Sequence, residues 1–287
     1  MTELVELSPG KLFRLGGRVP MDGRITWLPP EATGYEPMNC YLLVEEDAGM
    51  LIDSGVGLHE DAIVEQVASV LPKNAPLTIF LTRMEPDCLT ALGGILNNFR
   101  VEMVCAGGTN NPFDYFEDLN SSEMMQANYR AKLHRWLPGQ LLTLSDDRTL
   151  DVIAPALRLL FTSWVYDRTT RTLFTSDAFS HTSVATLEEP AVVDAQTDEL
   201  TAQELRSHLL TKFEYLNGAH TEPIIDRFRE LFREHPIERV APTHGCVLEG
   251  AETVQRHLDL LLDVLAEVSD PNAKTPHGVV EPAPSIR

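Results

Sequence analysis

Three short polar strings interrupt otherwise apolar stretches of the 287-residue chain. Arg83-Met84-Glu85-Pro86-Asp87-Cys88 follows the apolar run Leu77–Thr82. Ser176-Asp177-Ala178-Phe179 follows Thr172–Thr175. Pro242-Thr243-His244-Gly245 follows Arg239–Ala241. In extended chain, alternate side chains point the same way, so Arg83, Glu85 and Asp87 converge on one spot, with Cys88 opening the next helix. Carboxylates, a thiol and an imidazole collected from distant segments make a donor set for one transition metal, zinc or iron. Arginine is cationic at any working pH and has no lone pair to offer, so Arg83 is the member of this set that cannot be a ligand.

The elements that must hold these strings are readable from periodicity and turn signals. Asn39–Ile52 is predicted as a hairpin around Asp47-Ala48-Gly49, Asp61–Leu71 as a helix, Leu77–Thr82 as a buried strand, Leu89–Asn98 as a helix and Val101–Ala106 as a strand. Thr109–Gln140 is polar and reads as helical in parts. Leu141–Ile153 forms a second predicted hairpin, with strands at Leu157–Val165, Thr172–Thr175 and Arg239–Ala241. Helices are expected over Ala202–Leu216, Glu222–Glu234 and Glu252–Val268. Strand pairs followed by strand–helix alternation, repeated from about Leu141, predict two sheets covered by helices: an α+β, αββα sandwich. A single domain over 1–269 and a Pro-rich tail over 270–287 are expected.

Glu85-Pro86-Asp87, Asp177-Ala178-Phe179 and Ala241-Pro242-Thr243-His244-Gly245, in this order, resemble the metallo-β-lactamase fold, and within it the flavodiiron and oxygen-binding di-iron branch. That branch carries His-x-Glu-x-Asp-His where hydrolases of the fold carry His-x-His-x-Asp-His. The stretch Lys212-Phe213-Glu214-Tyr215-Leu216 favours the same branch, and the resemblance covers roughly Asn39–Leu262. It implies a di-iron site built from Glu85, Asp87, a bridging Asp177 and His244. No flavodoxin-like stretch follows the sandwich, so an FMN module is not expected.

The sequence departs from this pattern where the family has histidine: at Arg83, at Cys88 and, after Ala154-Pro155, at Arg158. The resemblance puts both arginines and Glu85 at one iron position. A pocket ion-pair network of Arg83, Glu85 and Arg158 is therefore expected there in place of metal. The other position keeps Asp87, Asp177 and His244 with Cys88, a possible mononuclear site if the thiol ionises. The expected function is a non-redox descendant acting as sensor, partner subunit or small-molecule binder. A mononuclear hydrolase or oxygen-linked oxidoreductase using Asp87, Cys88, Asp177 and His244 is the alternative. Among the other histidines, His181 is near enough to Asp177 in sequence to reach the pocket.

Lys+Arg 23 against Asp+Glu 43 gives a formal charge of −20, which repels phosphate backbones and argues against a nucleic-acid partner. No apolar run of membrane-spanning length occurs, and Met1–Leu12 lacks an apolar h-region. Cys40, Cys105 and Cys246 fit reduced, buried thiols, which with these features suggests the cytoplasm. The partner expected is an unidentified small molecule, with a homodimer possible.

Overall fold

Met38–Leu43 is buried at every position, the signature of a strand covered on both faces rather than on alternate ones. These residues belong to β3 (Tyr35–Glu45), which pairs antiparallel with β4 (Ala48–Ile52), Tyr41 opposite Ile52. The turn between them falls on Glu46-Asp47, where Glu46 takes a left-handed φ of 52°.

The computed structural model describes residues 4–107, 111–113 and 131–273, which gather into two compact units. The first contains the described residues up to Gly17, those of Met38–Ile153, and Phe161–Thr170. The second contains Arg18–Pro37, Ala154–Leu160 and those from Arg171 onward.

One sheet runs in the order β1 (Val5–Ser8), β2 (Leu12–Pro20), β3, β4, β5 (Leu77–Leu81), β6 (Val101–Ala106) and β7 (Lys132–Arg135). From β4 to β7 the pairing is parallel, and each of β4, β5 and β6 is packed under helices. Those helices are α1 (Glu60–Val70), the single turn α2 (Pro86–Leu89) and α3 (Leu92–Asn98). Ile63 and Val67 of α1 and Leu92 and Ile95 of α3 join Leu42, Leu51, Leu77 and Ile79 in one core. Burying each such side chain contributes about 1.5–3 kcal/mol. The same unit holds the antiparallel strands β8 (Leu141–Ser145), β9 (Arg148–Ile153) and β10 (Trp164–Asp167). Arg148, 1% exposed, meets Asp167 Oδ2 at 2.6 Å and donates to the Val44 carbonyl at 2.9 Å, tying this hairpin to β3.

The second unit contains β11 (Thr172–Ser176), parallel to β13 (Arg239–Pro242), then β14 (Val247–Glu249) and β12 (Val192–Val193). Its helices are α4 (Ala202–Lys212), α5 (Glu222–Glu234) and α6 (Ala251–Val268). Thr201 and Glu204 close a reciprocal capping box at the start of α4. Pro223 in the first turn of α5 costs nothing, because that N–H has no intrahelical acceptor. Helix α6 packs on α4, α5, β13 and β14 through Leu258, Leu261 and Leu265.

The strand expected over Leu157–Val165 begins only at Trp164. Leu159, Leu160 and Phe161 are 40, 55 and 45% exposed, and the Ser163 N–H turns to the Thr82 carbonyl instead of extending the ladder. The helix expected over Leu89–Asn98 is split at Thr90-Ala91, because Ala91 donates to the Gly55 carbonyl and Thr90 Oγ1 accepts from Gly57. Of the polar stretch Thr109–Gln140, residues 109–110 and 114–130 lie outside the described residues; Lys132–Arg135 is an exposed edge strand rather than helix. The expected tail lies outside them beyond Ala273. Strands β1 and β2 were not anticipated. Among the described residues, no helix is long and apolar enough to cross a membrane.

Candidate functional site

In the first unit the string after β5 is held by two residues at the end of β4. Asp53, in a left-handed conformation (φ 59°), accepts the Thr82 N–H at 2.7 Å and the Thr82 hydroxyl at 2.9 Å. Ser54 donates its N–H and its hydroxyl to the Cys88 carbonyl, at 2.7 and 3.0 Å. The loop between Thr82 and Cys88 is thus anchored at both ends. Within it the Arg83 side chain, 2% exposed, meets Glu85 Oε2 at 2.5 Å through Nε and pairs with Asp87 through Nη2. The guanidinium holds both carboxylates that a cation would otherwise need. Cys88 is fully buried in the one-turn α2, its Sγ 3.9 Å from the Thr82 hydroxyl.

In the second unit Asp177 sits on a turn whose neighbours Ser176 and Phe179 are both left-handed, at φ 55° and 63°. Two non-glycine residues in that region represent stored strain, of a kind concentrated at functional sites. The turn is held by the Thr175 hydroxyl donating to the Ala178 carbonyl, and by Thr243 N–H donating to Ser176. Lys212, the last residue of α4, places its ammonium 2.9 Å from Asp177 Oδ1, with side-chain exposures of 1 and 5%. The same ammonium donates to Ser180 Oγ at 3.2 Å and lies 5.7 Å over the Trp27 ring. His244 Nε2 is 3.9 Å from Asp177 Oδ1, beyond hydrogen-bond range, and its ring rests against Trp27 at 4.8 Å. Gly245 is demanded by the fold: at φ 80° its Cβ would stand 2.7 Å from the Thr182 carbonyl and 2.9 Å from that of Ser180.

Around this pair lie further titratable groups. Burial lifts the Glu36 carboxyl to about 8, with the Lys212 charge pulling the other way. Burial, helped by the Lys212 charge, pushes His208 down to about 3. His181 is held well below the usual histidine range, first by burial and then by His257. His181 Nε2 lies 2.8 Å from His257 Nδ1, and His257 Nε2 lies 3.0 Å from Asp198 Oδ2.

The residues expected from sequence fall in both units. Arg83, Glu85, Asp87 and Cys88 belong to the first, with the arginine and both acids in direct contact. Arg158, Asp177 and His244 belong to the second, where Asp177 and His244 are neighbours. Arg158 is half-buried and, among the described residues, forms no ion pair; its carbonyl accepts from the Tyr215 hydroxyl at 2.7 Å. In place of the expected network of Arg83, Glu85 and Arg158, the first unit holds one of Arg83, Glu85 and Asp87. The cation on Asp177 is Lys212. Sequence reasoning missed Lys212, His208 and Glu36. A signal existed on α4, where the buried stripe Leu205, His208, Leu209 and Lys212 carries two polar members at apolar positions, one turn apart. No comparable signal singles out Glu36.

A family model described as ODP family beta lactamase matches residues 37–245, well over half of the chain. The chain belongs to the ODP family. Its fold is accordingly the β-lactamase-like one, two mixed sheets flanked by helices, as the three strand-end strings predicted. Similar solved structures include a flavo di-iron protein variant from Thermotoga maritima, at 18% identity and TM-score 0.66, covering 92% of this chain and 62% of that one. A rubredoxin oxygen:oxidoreductase from Desulfovibrio gigas gives 15% and 0.64, with 92% and 62% covered. A peroxy diiron form of the chemotaxis sensor ODP gives 15% and 0.57, with 91% and 94% covered. The chain thus spans about three fifths of the first two structures and nearly all of the sensor structure. A search of the curated proteins gives no match.

The di-iron group named for the Thermotoga maritima protein and the chemotaxis sensor does not fit the side chains present in this ODP-family chain. Glu85 and Asp87 are taken by Arg83, and Asp177 by Lys212, all within ion-pair distance. A cation arriving at either position would meet a buried positive charge already seated there. Among the described residues no group of three or more His, Cys, Asp and Glu is disposed to hold a metal ion.

Proposed function

We propose that this chain is a metal-free member of the ODP family, acting as a non-redox sensor or binding protein rather than as an oxygen-reducing enzyme. The observation that carries this reading is the Lys212 ammonium 2.9 Å from Asp177 Oδ1, both side chains almost fully buried. A fixed ammonium on the carboxylate that would bridge two irons supplies the positive charge itself, without redox chemistry. Arg83, bonded to Glu85 and Asp87, does the same for the other acids. The alternative, a mononuclear metalloenzyme on Asp87, Cys88, Asp177 and His244, would need both aspartates released from buried ion pairs. Breaking each such pair costs about 3–5 kcal/mol before any ligand bond forms.

The test is metal content. Protein expressed with added iron and purified without chelator should carry well under one metal per chain. Incubation with Fe(II) or Zn(II) should leave its thermal midpoint unchanged. One tightly held ion per chain that raises the midpoint, and whose removal lowers it, would overturn the reading.

A further inference from the structure

A cavity of about 590 Å³ opens in the second unit, beside the Lys212–Asp177 pair. Ser180 and His208, which line it, are the groups in contact with or adjacent to that pair. The volume lies within the ~300–1,000 Å³ usual for small-molecule sites. Part of the wall is apolar, through Met21, Leu28 and Val193. The rest carries six acids, Glu31, Glu36, Glu189, Asp198, Glu199 and Glu204, and among the described residues no lysine or arginine lines it. Acids on a rim alone mean little, because a solvated surface of a chain this acidic has many. The independent observation is Glu36. It is 1% exposed and stands on the cavity wall; the Trp27 indole N–H approaches its carboxyl, yet its Oε1 has no hydrogen bond of normal geometry. A buried carboxyl oxygen without a well-aligned donor leaves its desolvation uncompensated, which a ligand N–H would offset.

The histidines on the wall point to the same ligand chemistry. The Ser180 hydroxyl donates to the Asp177 carbonyl at 2.7 Å, so its oxygen can only accept from its other neighbours. Lys212 donates to it, and His208 Nε2 at 3.2 Å must then carry its proton toward it, leaving Nδ1 as a lone pair. The second chain ends on a carboxylate. Asp198 accepts from His257 Nε2, so His257 Nδ1 accepts from His181 Nε2, and His181 Nδ1 is also left as an acceptor. Both rings stay neutral at physiological pH, because burial holds them below the usual range. The polar wall therefore offers carboxylates and imidazole lone pairs, and the matching partner is rich in donors.

We propose that this cavity binds a small organic cation, a primary amine carried on an apolar body, with the ammonium directed at Glu36. The inference deepens the binding-protein reading above. Apolar contact with Met21, Leu28 and Val193 accounts for the body, and the carboxyl and imidazole acceptors for the head.

Calorimetry on the full chain at pH 9, above the Glu36 value of about 8 and with the amine still largely protonated, tests it with three probes of one shape and different heads: 2-phenylethylamine, 2-phenylethanol and phenylacetate. The amine should bind at least about tenfold more tightly than the alcohol, as expected for a hydrogen bond to a charged group, and phenylacetate should give no heat. Glu36→Gln should erase the preference for amine over alcohol while leaving the alcohol unchanged. Should that buried variant not fold, Glu199→Gln with Glu204→Gln on the rim should weaken the amine two- to threefold and spare the alcohol. Equal binding of alcohol and amine, tighter binding of phenylacetate, no binding of the amine at millimolar concentration, or a folded Glu36→Gln that keeps the preference would each overturn the proposal. A chain that holds iron yet prefers the amine would sink the metal-free reading and keep this one. A metal-free chain without the preference would do the reverse.

Discussion

Lys212 and Arg158 show how differently two cations near a carboxylate string can behave. Lys212 is 4% exposed and its ammonium is seated on Asp177, whereas Arg158 is half-buried and its guanidinium makes no ion pair among the described residues. Removing one partner of a buried pair strands the other charge in a low dielectric, so Lys212→Met should lower unfolding free energy by about 3–5 kcal/mol. Arg158→Ala, which orphans no buried charge, should stay within about 1 kcal/mol. Urea titrations of the two variants side by side decide this, and the reverse order would mean that the cation on Asp177 has been misassigned. The motif strings made Arg83 visible in the sequence, because it stands five residues before Cys88, where the resemblance puts a histidine. Lys212 comes from a helix end far along the chain, and no local pattern announces which acid a distant ammonium will meet.

At the scale of elements, the strand ends were the legible part. Apolar runs such as Leu77–Leu81 and Val101–Ala106 have few ways to be buried other than as interior strands, and both sit inside the sheet. The edges were not legible. Lys132–Arg135 is exposed along its whole length, so it carries no apolar alternation to read, and it is a strand only because β6 offers it a ladder. Leu157–Phe161 has the apolar content of a strand but bends at the surface. In the Pro242–Gly245 string the glycine is as necessary as the histidine. Gly245→Ala forces a Cβ to within 2.9 Å of two carbonyl oxygens at a left-handed φ of 80°. It should cost roughly 2–3 kcal/mol and move His244 with it. A urea midpoint equal to that of the unsubstituted chain would show that the Thr182 and Ser180 carbonyls yield easily.

For the molecule as a whole, the buried titratable groups of the second unit shape stability against pH. His181, His208 and His257 all have folded values below 6.5. The unfolded chain therefore takes up protons before the folded one as pH falls below 6.5, and stability present above that value is lost toward acid. Glu36 works in the opposite sense. Its folded value near 8 exceeds the unfolded 4.5, so its contribution is complete below 4.5 and is lost as pH rises toward 8, at up to about 1.4 kcal/mol per pH unit. The two trends cross near neutrality. Thermal midpoints of Glu36→Gln and the parent chain should accordingly coincide near pH 5 and separate by pH 8, the variant being the more stable. A constant difference across that range would mean that Glu36 ionises normally in the folded chain.

Trp27 touches the groups discussed above from one side: its ring lies against His244 at 4.8 Å and under the Lys212 ammonium at 5.7 Å. An indole's excited state redistributes charge across the ring, so its emission colour and lifetime respond to a nearby cation and to any shift of its dipolar surroundings. The chain has three tryptophans. Of these, Trp27 is the one beside the Asp177 ion pair and its adjoining cavity, so the protein carries an intrinsic optical reporter of what enters there, readable without a label.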